Sequence, residues 1–420
     1  MGIKTVFKSK IQGEIHAPSS KSVMQRAVAL AFLARGRSII RKPSESSDGL
    51  AAIELVSSLG VQTDRIGDHL VLDSPGTIVD TGPYYLSCGE SGLGMRMFSP
   101  ILALFENPVV LKGEGSLRNR TVDMIERDLN RMGVFCRSQN GRPPIEIKGP
   151  MVGGELMIDG SISSQFLTGL LIALPRCPRD SKITVRNLTS KPYVELTLQM
   201  LAQAGIRIEV DWESNCFKIA GGQNYAPLDL TVEGDWSGAA FLLGAGALGG
   251  EISVRNLSVQ SCQADRAFLE LLERAGATVV NHSDSITVNG KDLHAFEFDV
   301  SECPDLFPPI AALAARVKGK STVFGTERLQ YKESNRGKAI REEFKKLGIR
   351  VDLFQNHIDI YGGSVIGGKT DAHNDHRIAM ALALIGLNAP DGVEINGAES
   401  VFKSYAGFFD DLKQVGGDVR

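Results

Sequence analysis

The stretch SSKSVMQRAVALAFLA (residues 19–34) begins polar and basic, turns almost wholly apolar, and recurs in altered form five more times. The other copies are SGLGMRMFSPILALF from Ser91, SSQFLTGLLIALP from Ser163, DWSGAAFLLGAGAL from Asp235, PDLFPPIAALAARV from Pro304 and NDHRIAMALALIGL from Asn374. Starts at 19, 91, 163, 235, 304 and 374 are separated by 72, 72, 72, 69 and 70 residues, the near-constant period of a structural repeat. Behind each start lies a β-rich run: RSIIRK, PVVLKG, KITVRNL, EISVRNL, STVFGT or GVEING. A second, amphipathic helix follows in every copy and stops at Gly60, Gly133, Gly205, Gly276, Gly348 or Gly416. Apolar spacing of i, i+3, i+4 and i+7 with glycine just past the end is a helix and its stop signal. Short alternating strands such as VQTDRI and DHLVLDS come next, so each copy reads helix, strand, helix, strand, strand.

The sixth copy runs out at Gly417–Arg420, before its last strands, while residues 3–16 (IKTVFKSKIQGEIH) are strand-like and precede the first copy. This N-terminal strand is expected to complete the last copy in space; the alternative is that it packs on the first. A three-and-three division predicts one α/β domain over 19–232 and another built from 1–18 and 233–420, with crossings near residues 18 and 232. A chain of 420 residues and 45.3 kDa exceeds what one core usually fills, which agrees with two domains.

A net charge of −3 argues against nucleic acid or an anionic membrane as the main partner. The six cysteines, at 88, 136, 177, 216, 262 and 303, are scattered, as reduced thiols in a cytoplasmic protein would be. The N-terminus has no apolar signal region, and no window approaches a membrane span. GAGALG (244–249) matches G-x-G-x-x-G but ends an apolar helix, so it reads as packing. His373 and His376 lack metal-ligand spacing, and no phosphate-loop, zinc-protease or serine-hydrolase motif is found. The expectation is an enzyme with neither metal nor cofactor.

The informative residues are polar ones at equivalent places in the copies. Helix starts carry Lys21, Ser22, Arg26, Gly92, Ser163, Ser164, Gln165, Ser190, Asp305, Arg377, Lys332, Glu333, Arg336, Arg120 and Lys403. A helix N-terminus favours anions, so Lys21, Arg26, Arg120, Lys332, Arg336, Arg377 and Lys403 stand against the local dipole. Together they predict a basic cleft between the domains, suited to a ligand with several negative charges. No acidic residue lies between Glu14 and Glu45, so Lys21 and Arg26 are expected to meet their counter-charge in a ligand. Asp305 and Glu333, acids among cations, are candidates for proton transfer, the alternative being that either is a structural counter-ion. Asp48, Asp265 and Asp375 read as helix caps.

Residue by residue, the chain resembles the enolpyruvyl transferases, and among them most closely the branch acting on shikimate 3-phosphate. The stretches that carry this are SKSVMQRA (20–27), GESGLGMR (89–96), SLRNRTV (116–122), DGSISSQFLTGLL (159–171), LTSKPYVELTL (188–198) and VEGDWSGAAF (232–241) in the first part of the chain. QADRAF (263–268), CPD (303–305), YKESNR (331–336), NDHRIAM (374–380) and VFKSYAGFF (401–409) continue it. The resemblance implies six βαβαββ units in two domains, an inside-out α/β barrel with its active site in the interdomain cleft. It implies a monomer that transfers the enolpyruvyl group of phosphoenolpyruvate to the 5-hydroxyl of shikimate 3-phosphate, releases phosphate, serves aromatic amino acid biosynthesis and is the target of glyphosate. By position, Lys21, Ser22, Arg26, Ser163, Ser164, Gln165, Ser190, Asp305 and Lys332 would hold shikimate 3-phosphate, mainly on 19–232. Lys21, Gly92, Arg120, Gln165, Arg336, Arg377 and Lys403 would hold phosphoenolpyruvate, mainly on the other domain. Lys21, Asp305 and Glu333 would be catalytic.

Five positions depart from the family pattern. Glu90 and Leu93 stand where Asn and Thr are usual, which bears on phosphoenolpyruvate contacts and on glyphosate sensitivity; Thr121 replaces Pro, Arg328 replaces Asn and Ser19 replaces Gly. The related transferases acting on UDP-N-acetylglucosamine carry a reactive Cys near the counterpart of Arg120, and residues 112–125 contain none. A non-catalytic relative that only binds phosphorylated metabolites is the other competing expectation.

Overall fold

The computed structural model describes residues 2–78 and 82–420. They form two compact units, one of residues 19–232 and one of 1–18 with 233–420.

In unit 19–232 the third repeat displays the plan. Strand Glu155–Asp159 leads into helix Gln165–Ala173, strand Ser181–Arg186, helix Lys191–Gln203 and the hairpin Ile208–Asp211 with Cys216–Ile219. The first two strands pair in parallel across the crossover helix. The hairpin then adds antiparallel, its second strand beside Ser181–Arg186. Tyr84–Ser87, Val109–Lys112, Phe135–Gln139 and Arg142–Lys148 repeat this arrangement. So do Gly36–Arg41, Gln62–Ile66 and His69–Ser74, whose leading strand is Asp229–Thr231 from the far end of the unit.

The other unit closes in the same circular way. Its sheets are led by Ile11–His16, Glu297–Asp299 and Gly368–Asp371. The N-terminal segment is two strands where the residues had suggested one. Ile3–Phe7 lies between Val393–Asn396 and Asp418–Val419 and completes the sixth repeat, while Ile11–His16 opens the fourth. The short leading strand of each repeat, three to six residues long, was absent from the pattern read off the residues and present in the one implied by resemblance.

The first helix of each repeat is the core. In Lys21–Leu33 every residue from Val23 onward is buried, and in Trp236–Gly249 every residue through Ala247 is. A helix apolar on all sides has no stable place except inside. The six glycines that stop the second helices all have φ between 79° and 102°, a left-handed backbone that other residues adopt at a cost. GAGALG is packing, as expected: a Cβ on Gly246 would lie 2.4 Å from the Ile252 side chain. None of the six cysteines is disulfide-bonded, and all except Cys262 are buried. Helix Gln165–Ala173 crosses helix Gly92–Leu102 so closely that a Cβ on Gly169 would stand 2.6 Å from the Met97 carbonyl oxygen. Gly169→Val is therefore expected to destabilise the protein by about 1–3 kcal/mol, read as a lowered denaturant midpoint.

Candidate active site

In unit 19–232 the polar residues at the helix starts are drawn into several local hydrogen-bonded groups. Ser20 caps helix Lys21–Leu33, accepting from the Val23 N–H. Lys21, the first residue of that helix, donates to Asp48 Oδ2 at 3.0 Å, and Asp48 is buried. This corrects two expectations: Lys21 has a counter-ion within the chain, and Asp48 is that counter-ion, while Ser46 caps helix Ser47–Ser57. Gln25, buried one turn further on, donates to the Asp48 carbonyl at 3.0 Å and to Ser91 Oγ at 2.7 Å. Ser91 in turn caps the helix that starts at Gly92. Gln25 did not figure among the site residues; its signal was a polar amide inside an otherwise apolar helix.

Arg26 lies on the same helix, five residues past Lys21. Its guanidinium is buried and donates to Thr197 Oγ1 at 2.9 Å and to the Ser22 and Tyr193 carbonyls at 2.9 and 3.3 Å, all neutral acceptors. Burial pulls its pKa down to about 10. A cation so withdrawn and offered no carboxylate by these acceptors favours the approach of an anion.

Gly92 and Arg120 are in near contact. A Cβ on Gly92 would stand 2.6 Å from Arg120 Nη1, so the absence of a side chain is what lets the guanidinium lie over the helix start. Arg120 follows the 3₁₀ turn Gly115–Asn119, and Glu90 holds that turn by accepting from the Ser116 N–H and hydroxyl, both at 3.0 Å. The departure at Glu90 thus has a structural task. Arg96 donates to Gln165 Oε1 at 2.9 Å, and Ser163 Oγ accepts from the Gln165 N–H. Ser164 and Ser190 are buried at the starts of their helices, Ser190 in the left-handed region.

In unit 1–18 with 233–420 the charges pack more tightly. Asp305 is met by Arg336 Nη1 at 2.7 Å, Lys332 Nζ at 3.2 Å and Arg377 Nη2 at 3.3 Å. Arg336 begins helix Arg336–Lys346 with no exposed surface, and it also binds Glu333 at 2.8 Å and Asp375 at 2.9 Å. Asp375 caps helix His376–Gly386 as expected, accepting from the Arg377 N–H. Asp265 is a buried counter-ion 4.0 Å from Arg377, not a helix cap. Arg328 donates to the Ser301 carbonyl at 2.9 Å. Lys403 is buried at the end of the turn Ala398–Lys403, which packs on helix His376–Gly386.

These contacts order the acidities. Burial would raise Asp305, but Arg377, Lys332 and Arg336 outweigh it and hold the carboxyl well below the usual range. Burial, with Asp305 nearby, pushes Asp265 up to about 6. Burial pulls the Lys332 ammonium down to about 8 in spite of Asp305. Groups whose protonation is split by their surroundings, beside fixed guanidinium groups, are what acid–base chemistry on an anionic substrate needs.

The family model described as EPSP synthase (3-phosphoshikimate 1-carboxyvinyltransferase) matches residues 7–412. A 3-phosphoshikimate 1-carboxyvinyltransferase of Clostridium perfringens is 36% identical over 418 residues, covering 99% of this chain and 98% of its own. The enzyme of that name from Methanocella arvoryzae is 38% identical over 428 residues, with 100% of both chains covered. In fold, the chain is similar to an EPSP synthase from Acinetobacter baumannii, with a TM-score of 0.84 at 24% identity over 100% of both chains. An enolpyruvyl transferase from Streptomyces tendae has a TM-score of 0.79 at 18% identity, over 100% of this chain and 98% of its own. Match over nearly the whole length and the shared architecture lead to one conclusion: this chain belongs to the EPSP synthase family.

Proposed function

We infer that the chain performs the reaction of its family, moving the enolpyruvyl group of phosphoenolpyruvate onto the 5-hydroxyl of shikimate 3-phosphate with release of phosphate, in aromatic amino acid biosynthesis. The observation that carries this reading is Asp305, a carboxylate held by three cations.

In the ligand-free chain Asp305 is too acidic to be a strong base. An arriving phosphoenolpyruvate brings a carboxylate and a phosphate, better partners for Arg336 and Arg377 than one shared carboxylate. As those guanidinium groups turn to the ligand, Asp305 regains basicity and takes the proton of the attacking hydroxyl. The hydroxyl oxygen bonds to C2 of phosphoenolpyruvate while C3 receives a proton, with Glu333 and Lys21 as its handlers. The resulting tetrahedral ketal breaks its bond to the phosphate oxygen, and loss of a proton from the new methyl group restores the double bond. Cations around the departing phosphate stabilise the charge that gathers there. No step requires a metal or cofactor.

Shikimate 3-phosphate falls to Lys21, Ser22, Arg26, Ser163, Ser164, Gln165 and Ser190 in unit 19–232, with Asp305 and Lys332 from the other unit. Arg26, buried among neutral acceptors, supports this share. Phosphoenolpyruvate falls to Lys21, Gly92, Arg120, Gln165, Arg336, Arg377 and Lys403. A monomer in the cytoplasm completes the reading; the net charge of −3 supports the absence of a nucleic-acid or membrane partner, and no helix among the described residues is long and apolar enough to cross a membrane.

Phosphate release from the two substrates is the direct test; release with UDP-N-acetylglucosamine in place of shikimate 3-phosphate would overturn the assignment. Lys21→Ala is expected to lower turnover roughly a hundred- to a thousand-fold with an unchanged circular dichroism spectrum. Asp305→Ala should cost roughly 10²–10⁴ in kcat. Gly92→Ala displaces Arg120 and should raise KM for phosphoenolpyruvate well above that for shikimate 3-phosphate. Because Lys332 loses its proton near pH 8, kcat/KM for shikimate 3-phosphate should decline as pH rises through about 8. Lys332→Arg, charged throughout, should remove that decline.

A further inference from the structure

The turn that delivers Arg377 is held in an improbable shape. His373 and Asn374, successive non-glycine residues, both have φ of 52°, between strand Gly368–Asp371 and helix His376–Gly386. Such conformations persist only where the surroundings over-determine them. Central among those surroundings is one buried carboxylate. Glu343, 2% exposed, meets His373 Nε2 at 2.8 Å through Oε1 and accepts from the Asp371 N–H at 2.9 Å through Oε2. Lys346 Nζ binds both its oxygens, at 2.9 and 2.7 Å. Asp371 Oδ1 accepts from the His373 N–H at 2.6 Å, and its Oδ2 accepts from Asn396 Nδ2 at 2.7 Å.

Glu343 lies on the helix that begins with Arg336, seven residues or about two turns further along. The turn is therefore fastened to that helix twice. Asp375 grips Arg336 at the helix start, and His373 with Asp371 grips Glu343 two turns away. Arg336 and Arg377 are kept in register by this double attachment.

We propose that His373 and Glu343 form a positioning pair that fixes the turn before Arg377, and so sets the aim of the Arg336 and Arg377 guanidinium groups at the anionic ends of phosphoenolpyruvate. The proposal rests on the reading of those two arginines as phosphoenolpyruvate ligands. The charged groups around His373 are Glu343, Glu342 and Lys346 on the helix and Asp371 on the strand. The bond to Glu343 raises the His373 pKa above the ordinary histidine value. The charged form of the pair is complete below the ordinary value and is lost as pH climbs through the raised one.

The test is steady-state kinetics on the whole protein with both substrates. His373→Leu should raise KM for phosphoenolpyruvate about tenfold while KM for shikimate 3-phosphate and kcat change by less than about threefold. His373→Gln, whose amide nitrogen can take the place of Nε2, should restore KM for phosphoenolpyruvate and flatten its dependence on pH. An unchanged KM in His373→Leu overturns the proposal. So do equal losses in all parameters together with a lower melting temperature, or failure of the glutamine to rescue. Arg377→Ala is measured alongside. A raised phosphoenolpyruvate KM there, with none in His373→Leu, overturns the pair alone. An unchanged KM in Arg377→Ala overturns the ligand assignment, and the pair with it.

Discussion

A guanidinium with no exposed surface, Arg336, has to be neutralised by the protein itself, and three carboxylates converge on it to do so. Removing a charge from water costs several kcal/mol, and only good geometry with multiple partners offsets that. Asp375 is fixed by this need, and since Asp375 also caps helix His376–Gly386, the same contact sets where Arg377 begins. Asp305 is drawn in from the other side, which places Lys332 and Arg377 around a single carboxylate. Most of the chemistry in this unit follows from satisfying one buried charge.

Unit 19–232 solves the matching problem more sparingly. Lys21 meets the Asp48 carboxylate, and Arg26 donates to hydroxyls and carbonyls. An ion dressed only by neutral dipoles is held in place but not neutralised. The two units therefore differ in kind. One carries groups whose protonation is tuned by mutual contact, and the other carries Arg26, a buried cation held by hydroxyls and carbonyls. That division fits a reaction in which one anionic substrate is mainly held while the other is chemically altered.

The repeat was legible because its helices are apolar all round and its stop glycines demand a left-handed backbone, both strong local requirements. The leading strands were not, because pieces such as Glu-Phe-Asp at 297–299 bury a single residue and show no period. The break between Ile3–Phe7 and Ile11–His16 was equally hidden, since it is decided by which distant sheet each half joins. In the site, Lys21, Arg336 and Arg377 do stand at helix starts against the dipole, whereas Arg120, Lys332 and Lys403, expected there too, lie at the ends of 3₁₀ turns. The carboxylate partners could not be found from residues alone, since Lys21 and Asp48 are 27 residues apart and Arg336 and Asp375 are 39. Asp48 and Asp265 looked like caps for that reason: a cap is a local role, and a counter-ion is a tertiary one.

The last residue of the chain lies against one of the first, with backbone bonds of 2.9 Å running both ways between Thr5 and Arg420. Unit 19–232 is complete once Thr231 is made, since its own leading strand comes at residues 229–231. The other unit cannot close its sixth sheet until residues 393–396 and 418–419 are made. On the ribosome, Ile3–Phe7 therefore waits for strands made nearly four hundred residues later, while unit 19–232 already has every strand of its own sheets. A segment near the start of the chain thus depends for its place on some of the residues made furthest from it.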